Sequence, residues 1–187
     1  MKTIITFILL STAGVTVADK YTIDTKGAHA FVQFKISHLG YSWLYGRFDE
    51  FSGDFEFDEN SPEKASIQMT VQTASVNSNH TARDKHLRGE DFLNVDENPT
   101  ATFSSTSFTP GENGHGIMTG KLTINGVTNE ETMKVEFTGA GQDPWGGFRR
   151  GYEATTEITL KDYNIKKSLG PASETLLLTV TVEGIKQ

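Results

Sequence analysis

The sequence predicts an all-β fold of antiparallel strands, and three observations carry that prediction. Apolar and polar residues alternate in twos along most of the chain, turn-forming clusters separate the alternating runs, and a single stretch, residues 79–103, breaks the pattern with clustered charge and histidine. No strand–helix–strand alternation, fixed-period repeat or low-complexity tract competes with this pattern.

The elements follow in order. Tyr21 to Asp24 opens the domain, and Ala30 to His38 is the first clear strand, with Val32, Phe34 and Ile36 on one face and Gln33, Lys35 and Ser37 on the other. Gly40 to Gly46 is aromatic, bracketed by glycines, and reads as a bend. Phe51, Gly53, Phe55 and Phe57 repeat the period of two until Asn60-Ser61-Pro62 stops the run. Ala65, Ile67, Met69, Val71 and Thr73 form the cleanest alternation in the chain. Thr100 to Phe108 is rich in Ser and Thr and ends at a Pro110–Gly114 turn. Met118, Gly120, Leu122 and Ile124 share one face, and Asn125-Gly126 is a hairpin signal because a type I′ turn needs two positive φ values. Met133, Val135 and Phe137 alternate with Lys134 and Glu136, followed by a loop at Gly139–Gly147. Phe148 to Leu160 is a long strand that carries Tyr152 and Ile158 in register. Lys161 to Ala172 is a polar connection, and the last strand, Thr175 to Ile185, places Leu176, Leu178, Val180 and Val182 together.

Roughly seven to nine strands joined by short turns describe an antiparallel sandwich or barrel. Strands of about 9–12 residues favour the closed barrel, which leaves no exposed edge. Its interior is either filled by its own side chains or open to a small apolar ligand.

Composition narrows the function classes. The chain has 187 residues, no cysteine and a formal net charge of −7. That length fits one domain, and the acidic balance argues against binding nucleic acid, which needs surplus Lys and Arg. Residues 1–18 differ from the rest: Lys2, an apolar run from Ile4 to Leu10, and Thr16-Val17-Ala18 read as a secretory signal peptide cleaved before Asp19. The run is too short to span a bilayer, which takes about 20 residues. An exported, periplasmic domain of residues 19–187 is expected, stabilised by core and sheet closure without disulfides.

The interruption is the first place to look for chemistry. Asn79 can cap a helix and Gly89 can end it, so a short helical insertion is expected near residues 80–95. His80, Asp84 and His86 as metal ligands lack a zinc-site spacing, and Asp84 with His86 as an acid–base pair lacks a nucleophile elbow. No metal, cofactor or catalytic residue is therefore expected, although a small exported enzyme or metal protein using Asp84 and His86 remains an alternative. Arg83, Asp84 and His86 could instead meet the polar head of a ligand, or simply tie the helix down while Leu87 and Phe92 pack over a barrel opening. A solid barrel that docks a protein partner is the third reading.

Several motifs in order carry a family resemblance. His38-Leu39-Gly40-Tyr41, Gly46-Arg47-Phe48, Phe51-Ser52-Gly53, Arg83 to Leu87, Asp91-Phe92, Asn98 to Phe103, Gly120 to Thr128 and Asp143 to Gly147 resemble the YceI-like family, from about Tyr21 to Val182. Each motif is weak alone; their order and spacing make the resemblance specific. It implies an eight-stranded, antiparallel, lipocalin-like β-barrel in the periplasm that holds a polyisoprenoid or similar long-chain lipid, has no enzymatic activity and commonly forms homodimers. One departure is Lys166 to Pro171, where relatives carry a more apolar loop. With that resemblance, the alternating faces supply a candidate lining of Val32, Phe34, Ile36, Phe55, Phe57, Ile67, Met69, Val71, Met133, Val135, Phe137, Tyr152, Ile158, Leu178 and Val180. Met69 and Met133 could adapt to ligands of varied shape.

Overall fold

Eleven strand segments close into a barrel of eight antiparallel staves in the computed structural model, which describes residues 18–167 and 169–187. The expected signal peptide lies almost wholly outside the described residues. The strands are β1 (Asp19–Ile23), β2 (Phe31–His38), β3 (Ser42–Phe48), β4 (Phe51–Phe57), β5 (Ser66–Gln72), β6 (Val76–Asn77), β7 (Thr100–Pro110), β8 (Gly116–Ile124), β9 (Val127–Gln142), β10 (Phe148–Thr159) and β11 (Thr175–Lys186). One helix, α1 (Thr81–Arg88), crosses between β6 and β7.

Three staves are broken in the middle. β11 pairs with β1 through Gly184–Lys186 and with β2 through Leu176–Thr181, so β1 and β2 act as one interrupted stave. β4 and β3 form the next, pairing with β1 and β2 respectively, and β5 and β6 the one after. β7 to β10 then follow by simple up-and-down neighbours, and β10 pairs with β11 from Arg149 to Thr159. Every pairing is antiparallel, and closure through β1 and β2 on β11 satisfies backbone groups that an open sheet would leave at its edges.

The strand faces obey their alternation, and the inward residues form two linked cores. Phe103, Phe108, Met118, Leu122, Met133, Val135 and Ile158 pack in one, and Tyr21, Ile23, Val32, Phe55, Met69 and Val182 in the other. The Asn125-Gly126 hairpin forms as expected, with φ of 48° and 76°.

Three local expectations are corrected. The stretch 40–46 is not a bend but most of β3, paired with β2 from Ser42 to Phe48. Its alternation is hidden because the outward positions hold Trp43 and Tyr45, 60% and 63% exposed, so both faces look apolar. β9 runs on to Gln142, through the glycines expected to form a loop. The helix is capped by His80, whose Nδ1 accepts from the Arg83 N–H at 3.2 Å, rather than by Asn79. Asn79 takes the left-handed conformation (φ 61°) just before it, and Gly89 ends the helix at φ −73° rather than in that conformation.

Candidate functional site

Inward-facing glycines shape the barrel interior. Gly46, Gly116, Gly120 and Gly184 each lie beneath an inward phenylalanine ring, namely Phe34, Phe108, Phe103 and Phe55, so closely that an added methyl group would overlap it. Without side chains on these glycines, the four rings can settle onto the wall.

The space enclosed is a cavity of about 400 Å³, within the range of small-molecule sites. Of the residues expected to line it, Val32, Phe34, Ile36, Phe55, Phe57, Ile67, Met69, Val71, Met133, Val135, Tyr152, Ile158, Leu178 and Val180 are on its wall. Phe137 is not. It packs against Tyr152 with ring centroids 5.6 Å apart, and the Arg150 guanidinium lies 5.3 Å over its ring.

The wall has further members that were not singled out. Met118, Leu122 and Ile124 of β8 alternate as plainly as the residues chosen, and their face alone could have placed them. Phe103 and Phe108 of β7 are five positions apart and would face opposite ways in a regular strand. A register shift between Ser105 and Ser107 turns both inward. Leu44 and Phe48 were hidden with the rest of β3.

One end of the cavity is covered by three segments. Arg83, His86 and Leu87 of α1 and the following Phe92 and Leu93 line it, as do Ile165 and Leu169 of the last connection and His38 at the β2–β3 turn. The segments brace one another: Lys167 N–H donates to the Asp91 carbonyl at 3.1 Å, and Ser173 Oγ donates to the Ser37 carbonyl at 2.7 Å. Despite its lysines, the Lys166–Pro171 stretch contributes the apolar Leu169 side chain to the cavity.

The polar trio of the helix is separated. Asp84 is buried away from the cavity, and its Oδ1 accepts from the Ser78 N–H at 2.8 Å and from the Ser78 hydroxyl. Burial pushes its pKa up, but the Ser78 hydrogen bonds and the charges of Arg88 and Arg83 outweigh that, and the net shift is downward. Arg83 reaches the same serine, with Nε donating to its Oγ at 2.7 Å and a second nitrogen to its carbonyl. His86 sets its ring edge-on to Phe92 at 5.0 Å, and its Nε2 is 3.7 Å from Asp91. Arg83 and Asp84 thus lock the chain entering α1, while Arg83 and His86 also border the cavity.

At the opposite end lie two adjacent arginines of β10. Arg149 faces outward and binds Asp24 (2.7 Å), Asp143 (2.7 Å) and Glu183 (2.5 Å), fixing the 24–30 and 143–147 loops. Its hydrogen bonds are the main reason that the pKa values of Asp24 and Asp143 are lowered. Among the described residues, Asp24, His29 and Glu183 form the one group that could gather around a cation, and Arg149 already supplies a positive charge there. Arg150 faces inward, 6% exposed, and pairs with Glu59 at 2.7 Å.

Comparison with known proteins gives a consistent result. Residues 21–184 match the YceI-like domain family. Over 174 residues the chain is 54% identical to a UPF0312 protein of Ectopseudomonas mendocina, spanning 93% of this chain and 91% of that one. The solved YCEI protein of Campylobacter jejuni superposes with a TM-score of 0.74 at 30% identity, over 81% of this chain and 90% of that chain. A polyisoprenoid binding domain from Saccharophagus degradans superposes with a TM-score of 0.66 at 16% identity, over 89% and 98%, a likeness of fold.

Proposed function

This chain belongs to the YceI-like domain family, and from that premise we propose that it binds a long-chain apolar lipid of the polyisoprenoid kind inside its barrel and does not transform it chemically. One observation carries the reading: a cavity of about 400 Å³ whose wall is almost entirely aliphatic and aromatic. Each methylene moved from water into such a space contributes about 0.8 kcal/mol, so a long hydrocarbon needs few polar contacts. A fold neighbour named for binding polyisoprenoid supports the class of ligand.

An enzyme built on Asp84 and His86 has less support. The Asp84 carboxylate is engaged with Ser78 and His86 leans on Phe92, so the two do not form an acid–base pair across the cavity. The leader-like residues 1–18 support export, and a periplasmic location follows from that reading.

Displacement of a fluorescent apolar probe by the tetraprenyl alcohol geranylgeraniol tests the proposal. We expect saturable displacement at one site, reduced at least tenfold by Ala154→Trp, which places a large ring on the cavity wall. A probe that never enters the barrel would contradict it. N-terminal sequencing of protein from the periplasmic fraction should begin at Asp19.

A further inference from the structure

The outer face of the β2–β3 hairpin presents aromatic side chains to solvent. Tyr41, Trp43 and Tyr45 are 86%, 60% and 63% exposed, and Leu39 at the turn is 50% exposed. Two left-handed residues, Leu39 (φ 54°) and Gly40 (φ 82°), form that turn, and the Tyr41 N–H donates to the His38 carbonyl at 2.9 Å. Left-handed backbone disfavours a leucine, and here it holds an apolar side chain in water at the hairpin tip. Lys35 of β2 lies with its ammonium 4.1 Å from the Trp43 ring and 5.9 Å from the Tyr45 ring, joining the two into one patch. Single apolar residues scattered over a surface need no explanation, but a contiguous patch marks a place that something covers.

The patch adjoins the cover of the cavity. The Leu39 N–H donates to Ser173 Oγ at 3.3 Å, and a side chain on Gly40 would touch Ala172, so the hairpin tip and the 165–173 connection form one surface. That connection adds Leu169, 37% exposed, and the exposed Lys166 and Lys167. The chain holds 24 Asp and Glu residues, yet none falls within residues 31–48 or 163–173. Those two segments carry Lys35, Arg47, Lys166 and Lys167, of which Arg47 is paired with Asp49. The helix end beside them is mixed, with Lys85 and Arg88 followed by Glu90 and Asp91, so the basic character comes from the hairpin and the connection. Trp145, the second tryptophan, is 78% exposed at the opposite end, where Asp24, Asp143 and Glu183 gather around Arg149.

We infer that this face docks on a lipid surface bearing anionic headgroups, with Leu39, Tyr41, Trp43 and Tyr45 set among the headgroups and Lys35, Lys166 and Lys167 against their charge. Tyrosine and tryptophan suit that boundary because each ring is an apolar body with a polar tip, and lysine stems lie along apolar surface while the ammonium stays in water. A second copy of the chain fits less well. A two-fold interface sets the same patch against itself, and the lysines of one copy would face those of the other. The docking residues are on the outside of the barrel, so the docking stands apart from lipid binding in the cavity. Where both hold, the segments that cover the cavity lie against the membrane, on the side from which a lipid would enter.

The two tryptophans make the test direct, since Trp145→Phe leaves Trp43 as the lone emitter and Trp43→Phe leaves Trp145. Vesicles of phosphatidylglycerol and phosphatidylcholine, brominated on their acyl chains, should shift the Trp43 emission to the blue and quench it, and leave Trp145 unchanged. Co-sedimentation affinity for unbrominated vesicles of that mixture should exceed that for phosphatidylcholine alone by about tenfold or more, and changing Lys166 and Lys167 to Gln should lower it about fivefold for each lysine removed. Ala154→Trp, which obstructs the cavity, should sediment as the unmodified protein does, and that separates surface docking from uptake of a lipid into the barrel. No sedimentation, equal sedimentation with both vesicle types, quenching of Trp145 instead of Trp43, or loss of sedimentation in Ala154→Trp would each overturn the docking face. So would a blue shift of Trp43 that grows with protein concentration before vesicles are added, the mark of a second copy on the patch. None of these outcomes bears on displacement of the apolar probe from the cavity, which tests lipid binding by itself.

Discussion

Gly46 and Phe34 show how much of the interior depends on single side chains. They face each other across β2 and β3, and a methyl group on Gly46 would occupy the space of the Phe34 ring. Gly46→Ala should therefore destabilise the barrel by about 1–3 kcal/mol, the usual cost of overpacking. Gly141→Ala, where nothing lies within 4 Å of the added carbon, should stay within about 0.5 kcal/mol in the same urea titration. Equal effects at the two sites would show that the ring does not rest on Gly46. Asp84 depends on its partners in a similar way. Asp84→Ala leaves two Ser78 donors buried without their acceptor and should cost about 1–3 kcal/mol by chemical denaturation. At this scale the sequence is readable where outward neighbours are strongly polar, as Lys134 and Glu136 are beside Met133 and Val135. It is unreadable for Asp84, since nothing local says that a carboxylate in a charged helix turns inward to a serine six residues earlier.

Among the elements, the strands carry their own signatures and the connections do not. β8 and β9 announce themselves through alternation and the Asn125-Gly126 turn. β3 is masked by exposed aromatics, and the β7 bulge shifts the phase of its phenylalanines. The cover over the cavity brings together α1, the 165–173 connection and the β2–β3 turn, which are far apart in sequence and meet only once the barrel has closed. At the other end, Arg149 clamps two loops through carboxylates whose folded pKa values lie below the ordinary 3.8. Groups shifted in this direction contribute stability that is present above 3.8 and is lost as pH falls through their folded values. The protein should lose stability steeply on acidification below 3.8, and Arg149→Met should make that dependence shallower. Thermal melts in a pH series would check this, and an unchanged slope in Arg149→Met would locate the acid sensitivity elsewhere.

The whole molecule is a barrel whose closure and cavity come from the same alternation. Inward residues that satisfied the period of two also had to leave space, and that part is not legible in the sequence. Period shows which residues share a face, but whether eight such faces fill the centre depends on ring orientation, the glycines beneath the rings and the bulge in β7. The near-complete apolar character of the wall is the physical basis for reading the protein as a carrier or holder of lipid. Native mass spectrometry of protein purified from its natural host, followed by organic extraction, puts that reading to the test. A bound apolar mass near one per chain is expected, recovered in the organic phase and depleted in Ala154→Trp. A mass equal to that of the bare polypeptide, with no lipid in the extract from either protein, would contradict it.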